Sequence, residues 1–198
     1  MRHRAFLRTM GLAFVIASIA DPAWAHQGEG SGFWAGFIHP IGGLDHVLAM
    51  VAVGMWGAIL GPPALWALPI AFPLVMSIGG IAGILGLPVP KVELGISVSV
   101  VVLGAMIAFD RRPSIALAGV LVAFFAIFHG YAHGAELPHQ VGAVAYCVGF
   151  VVATGLLHLT GILIGFVTEL PHGLRVLRAG GSAIALVGIY LTWQAIAA

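Results

Sequence analysis

The chain has 198 residues, of which 61% are hydrophobic and 8% charged, and its mean hydropathy is +1.09. A soluble domain carries about 25% charged residues and a disordered chain pairs low hydrophobicity with high charge, so both classes are excluded. Eight Lys+Arg against seven Asp+Glu leave no basic stripe for nucleic acid, and one cysteine excludes an internal disulfide or a thiolate metal pair.

In chain order, the first element is a processing signal. Arg2, Arg4 and Arg8 form a basic start, Met10 to Ala20 a short apolar stretch, and Ala23-Trp24-Ala25 a small-residue cleavage site. Residues 1–25 are therefore expected to be removed. The mature chain, 26–198, would begin at His26 outside the cytoplasm. A membrane-spanning helix needs about 20 apolar residues, because each adds about 1.5 Å across about 30 Å of hydrocarbon. Six stretches qualify, from Phe33 to Leu60, Ala64 to Leu85, Val92 to Phe109, Ser114 to Leu137, Val141 to Val167 and Leu174 to Ala197. Prolines or charges punctuate the breaks at Gly61-Pro62-Pro63, Pro88-Val89-Pro90, Asp110 to Pro113, Pro138 and Pro171-His172-Gly173. No period-two alternation supports a β-barrel. The expected fold class is all-α: a single six-helix transmembrane domain over 26–198, after a cleavable signal.

Arg111 and Arg112 lie between spans three and four, and Arg175 and Arg178 flank span six. Only Lys91 lies between spans two and three. The positive-inside rule then places both ends of the mature chain outside, in agreement with the signal. Gly79-Gly80, Gly83 and Gly180-Gly181 are expected to let helices pack closely. Trp24, Trp34, Trp56, Trp66 and Trp193 fall towards span ends, as interfacial anchors do. Met50, Met55, Met106 and Cys147 read as packing residues.

Nine histidines outnumber the eight Lys+Arg. Ionisable groups within a span cost several kcal/mol, roughly 2.5–3.5 on insertion scales, and are functional candidates for that reason. The first cluster is His39-Pro40-Ile41-Gly42-Gly43-Leu44-Asp45-His46 in span one. His39 and His46 share a helical face but stand about 10 Å apart on a straight helix. Pro40 and Gly42-Gly43 could break it, as helices near transporter ion sites are broken. Asp45 could ligate an ion or orient a histidine.

The second cluster is His129-Gly130-Tyr131-Ala132-His133-Gly134-Ala135-Glu136 at the outer half of span four. Positions i, i+4 and i+7 place His129, His133 and Glu136 on one stripe. The expected topology brings both clusters to the outer half of the bilayer. Spans one and four also correspond between two three-span halves of opposite orientation, a hint of an inverted repeat. His158 in span five reads equally as a relay or as a structural histidine, as do Glu169 and His172 further inward. His26, Glu29 and His139 are expected outside; His26 could chelate through its amine and imidazole.

His-Pro-x-x-Gly-x-Asp-His at 39–46 resembles the signature of the HupE/UreJ family of nickel permeases. His129 to Glu136 resembles that family's second histidine motif, and the chain's size and span number are similar throughout. The resemblance implies a secondary permease for Ni²⁺, with Co²⁺ as an alternative, in the bacterial inner membrane. It implies His39, Asp45, His46, His129, His133 and Glu136 as metal residues, with His26 a looser match. The nickel or cobalt is cargo and no catalytic cofactor is expected. Partners would be the bilayer and, through the family, the maturation of nickel enzymes such as hydrogenase or urease.

Residue chemistry alone is broader. Imidazole suits nickel, cobalt, zinc and copper, and protons compete for it as pH falls. A transport site must also release its ion. An intramembrane metal hydrolase using the same His/Asp cluster remains the alternative, although there is no H-E-x-x-H, G-x-S-x-G or P-loop. An assembly subunit is a third reading, for which short loops leave little partner surface.

Overall fold

The computed structural model describes residues 31–137 and 142–197. The expected signal, with Trp24, His26, Glu29 and His139, lies outside the described residues. Those residues form seven α-helices and no strand: α1 Ser31–Gly42, α2 Leu44–Leu60, α3 Ala64–Ile84, α4 Val92–Ala108, α5 Ile115–Ala135, α6 Ala143–Gly165 and α7 Gly173–Ala197. A short 3₁₀ turn, Phe166–Glu169, follows α6.

Helices α3, α5, α6 and α7 are long and apolar enough to cross a membrane. The first expected span is two helices, α1 and α2, bent by 82° at Gly43, and as one broken span it brings the number to five. The third expected span, α4, has only 17 residues and falls below that length. At about 1.5 Å per residue it reaches about 25 Å, the short end of what a bilayer needs. Among the described residues, four helices, or five spans with the bent pair counted as one, are of membrane length, and α4 is a shorter apolar helix beside them.

The outward faces carry Leu74, Ile78, Val120, Leu186 and Trp193, all well exposed. An aliphatic exterior suits lipid, which leaves the interior for small and polar groups. The helices associate in three close pairs: α1–α2 with α6, α3 with α5, and α4 with α7. This pairing is unchanged when the first three spans are exchanged with the last three.

Small residues explain how close the pairs come. On α3, a side chain at Gly79 would strike the Ile127 carbonyl and one at Gly83 the Tyr131 carbonyl. On α5, one at Gly130 would strike the Met76 carbonyl and one at Gly134 the Gly80 carbonyl. Backbone meets backbone along this interface. Gly180 makes no such approach, its nearest neighbour being the Met55 methyl at 4.0 Å.

Two other expectations are corrected. Trp56 is fully buried, with its indole N–H donating to the Arg111 carbonyl at 3.0 Å, and is no interfacial anchor. Cys147 lies exposed on the outer face of α6 rather than in the packing.

Replacing Gly79 with Val should force α3 away from α5 and destabilise the protein by about 1–3 kcal/mol or more, as overpacking does. The check is thermal unfolding of purified protein in detergent; an unchanged Tm would refute the close approach.

Candidate metal centre

The break at Gly43 decides where the first cluster goes. Gly43 sits in an extended conformation (φ −97°, ψ 117°) ahead of α2. A Cβ there would lie 2.8 Å from both Asp45 Oδ1 and His46 Nδ1, so a side chain at this position would push the two out of their present arrangement. Gly42 has nothing within 4 Å of the same construction. After the break, α1 carries His39 and the first turn of α2 carries Asp45 and His46. Both histidines then reach the same residue of α5: the His133 ring lies 4.8 Å from His39 and 4.3 Å from His46, centre to centre. His129, one turn along α5, lies 4.8 Å from His46. Four imidazoles thus form a ladder in the order His39, His133, His46, His129.

Two neighbours fix the tautomers of the inner rungs. His46 donates Nδ1–H to Asp45 Oδ1 at 2.8 Å, and its backbone N–H donates to the same oxygen at 2.8 Å. Nε2 is left with its lone pair free, buried and without a partner among the described residues. Ser99 of α4 donates its hydroxyl to the Ile96 carbonyl at 2.6 Å. Its oxygen therefore accepts from His129 Nε2–H at 2.9 Å. That leaves His129 Nδ1 with a free lone pair, also buried and unpartnered. A carboxylate or hydroxyl behind an imidazole is the usual way to orient a metal-binding histidine.

His133 stands at the junction, and neither of its nitrogens has a partner among the described residues. Leaving such groups unpaired costs about 1–3 kcal/mol each, so these nitrogens are chemically suited to take up an ion or water. At the outer end, one ligand atom each from His39, His133 and Glu136 lie within 4.8 Å of one another. Glu136 follows the last residue of α5 rather than continuing its stripe, and its Oε2 lies 3.5 Å from His39 Nε2. Its side chain is 61% exposed, whereas His129 is fully buried. The donor set therefore runs from an exposed carboxylate to enclosed imidazoles.

The expected site residues are drawn together, but in two roles. His39, His46, His129, His133 and Glu136 present donor atoms. Asp45 Oδ1 is taken up twice by His46 and so orients that imidazole. His158 of α6 stands apart from the ladder, and Glu169 and His172 are exposed near the start of α7. Ser99 escaped sequence reasoning. A serine in an apolar helix is commonplace, and only the packing of α4 on α5 shows its partner. Tyr146 and Phe150 were missed as well. Their rings lie 5.8 Å and 6.4 Å from His39, and Phe150 lies 4.5 Å from His133. A crevice of about 260 Å³ opens beside His133 between α3, α5 and α6, walled by Pro73, Gly80, Tyr146, Cys147 and Phe150.

Apolar membrane-length helices packed around buried imidazoles are those of a multi-pass helical membrane protein. The profile of the family described as "HupE / UreJ protein" matches residues 13–191. Protein HupE of Rhizobium leguminosarum bv. viciae is 42% identical over 179 residues, which is 89% of this chain and 94% of that protein. The chain belongs to the HupE/UreJ family. Membership supports nickel or cobalt transport in general, the role its motifs imply. No solved structure matches the chain.

Asp45→Asn should weaken binding of Ni²⁺ or Co²⁺ to the purified protein about 10-fold or more, the usual cost of losing a ligand's orienting partner. Calorimetric titration measures this; parental affinity would remove Asp45 from that role.

Proposed function

We propose that the protein is a secondary permease that imports Ni²⁺, with Co²⁺ as the competing cargo, across the bacterial inner membrane. One observation carries the reading. Buried ring nitrogens of His46, His129 and His133 have no partners among the described residues, and the three rings stand next to one another at 4.3 and 4.8 Å, centre to centre. Nitrogen donors of this kind suit nickel and cobalt, and the absence of thiolates disfavours Cu(I).

The ladder supplies a route. An ion arriving from outside meets Glu136 and His39 first, because the carboxylate is the exposed member. His133 belongs both to this outer group and to the contact with His46. It can therefore hand the ion inward without a gap in coordination. Such sharing keeps each binding step shallow, which conduction needs. The outer group exchanges the ion's water for protein donors while solvent is still at hand.

The orientation follows from charge. Arg111, Arg112, Arg175 and Arg178 face the cytoplasm, and both ends of the mature chain, from His26 to Ala198, face the periplasm. Cleavage after Ala25 belongs to the same reading, and His26 is then a candidate first contact for the ion. The cargo would feed the maturation of nickel enzymes, hydrogenase or urease. The hydrolase alternative takes Asp45 or Glu136 as its acid or base; Asp45 Oδ1 is engaged by His46, which leaves Glu136 in that part.

The test is ⁶³Ni uptake into cells that lack other nickel importers, at matched membrane abundance. Parental protein should take up nickel, and His46→Ala and His129→Ala should each abolish uptake, since each removes an enclosed donor. A correctly inserted parent without uptake would overturn nickel transport. A cobalt competition series then ranks the two ions.

A further inference from the structure

Beyond the ladder, α6 carries a second set of polar atoms that the transport reading does not use. Tyr146, Phe150, Thr154 and His158 recur at four-residue spacing, so they form one slowly winding stripe on the buried face of α6. The first two meet His39, and Phe150 also meets His133. The last two lie further inward: 12 residues separate Tyr146 from His158, about 18 Å along the axis.

His158 is 2% exposed and Thr154 fully buried. Both ring nitrogens of His158 and the hydroxyl oxygen of Thr154 have no hydrogen-bond partner among the described residues. A buried structural histidine ordinarily hydrogen-bonds through at least one nitrogen, and a threonine inside a helix ordinarily bonds back to a preceding carbonyl. Thr160 does so, donating to the Leu156 carbonyl at 2.8 Å, and Thr154 does not.

One side chain links this pair to the ladder. The ring of Phe72, fully buried on α3, lies 5.4 Å from the His129 ring and 5.5 Å from the His158 ring, edge-on to both. It is an apolar ring in contact with both imidazoles. On the far flank, α2 comes up against His158 at Gly54, where any side chain would strike the His158 carbonyl.

We propose that His158 and Thr154 form a second divalent-ion station, reached from the imidazole ladder past the ring of Phe72. This rests on the transport reading above and extends it inward. An imidazole and a hydroxyl make a weaker site than the ladder, as the last stop before release requires. Phe72 keeps the two stations from being one continuous polar channel, so an ion crosses only when that ring turns.

The test compares parent, His158→Gln and Thr154→Val in the full-length chain, with Ni²⁺ as the probe. ⁶³Ni uptake by intact cells gives the maximal rate and the half-saturating concentration. Equilibrium ⁶³Ni binding to purified protein in lipid nanodiscs reports the ladder. His158→Gln should lower the maximal rate roughly 10-fold, the scale of losing a metal-directed group. Half-saturation and ladder affinity should stay parental, because capture lies upstream. Thr154→Val, nearly unchanged in volume, should lower the maximal rate in the same direction and by less.

Parental maximal rates in both variants would overturn the station while leaving the permease reading intact. A raised half-saturating concentration at parental maximal rate would also overturn it, by assigning His158 to capture. If His158→Gln fails to accumulate in the membrane, Thr154→Val decides alone, and a parental rate there refutes the proposal. A parent that takes up no nickel overturns both readings together.

Discussion

The site depends on the interruption of one helix. An unbroken helix over Phe33–Leu60 would hold His39 and His46 about 10 Å apart along its axis, and one α5 residue could not serve both. The 82° bend between α1 and α2 brings both onto His133. Interrupting a helix frees backbone groups, which is tolerable at membrane depth only where protein or a polar cavity surrounds them. Gly43 makes the interruption compact: its missing side chain leaves the room in which Asp45 folds against His46.

Helix pairing then completes what the break begins. The pairs α1–α2 with α6 and α3 with α5 correspond to each other when the halves of the chain are exchanged, and α4–α7 corresponds to itself. The ladder takes its rungs from α1, α2 and α5, and α3 and α6 supply the aromatic walls at Phe72, Tyr146 and Phe150. The exchange is imperfect where function needs it to be, since α5 runs unbroken where its counterpart is split. Two histidines on a straight helix face two on a bent one, and the bend lets the sets interleave.

Much of this was legible in the residues. The ends of α3, α4, α5 and α7 fall within two residues of the apolar runs read from the sequence, because prolines, glycines and charges stop helices by mechanisms that act locally. The histidine motifs were legible for a related reason: imidazoles in an apolar helix are costly wherever they point. Tertiary features were not. The size of the bend at Gly43 depends on what α1 packs against. Trp56 lies near the end of its helix like an anchor, yet it is buried because Arg111 offers a carbonyl there. Asp45 read equally as ligand or orienter, and only the placement of His46 Nδ1 separates the two. Ser99 carried no signal at all.

Helix α2 has the site at one end and a different kind of contact at the other. Its first turn holds His46, and ten residues on, about 15 Å away, Trp56 is tied to the Arg111 carbonyl. That same loop is tied to α7, where Arg178 donates to the Ala108 carbonyl at 2.8 Å, and is braced internally by the Arg112–Asp110 pair at 3.0 Å. The helix thus joins the arginine loop at one end to the histidine cluster at the other. A shift of that loop along the helix axis would therefore be expected to displace His46 as well.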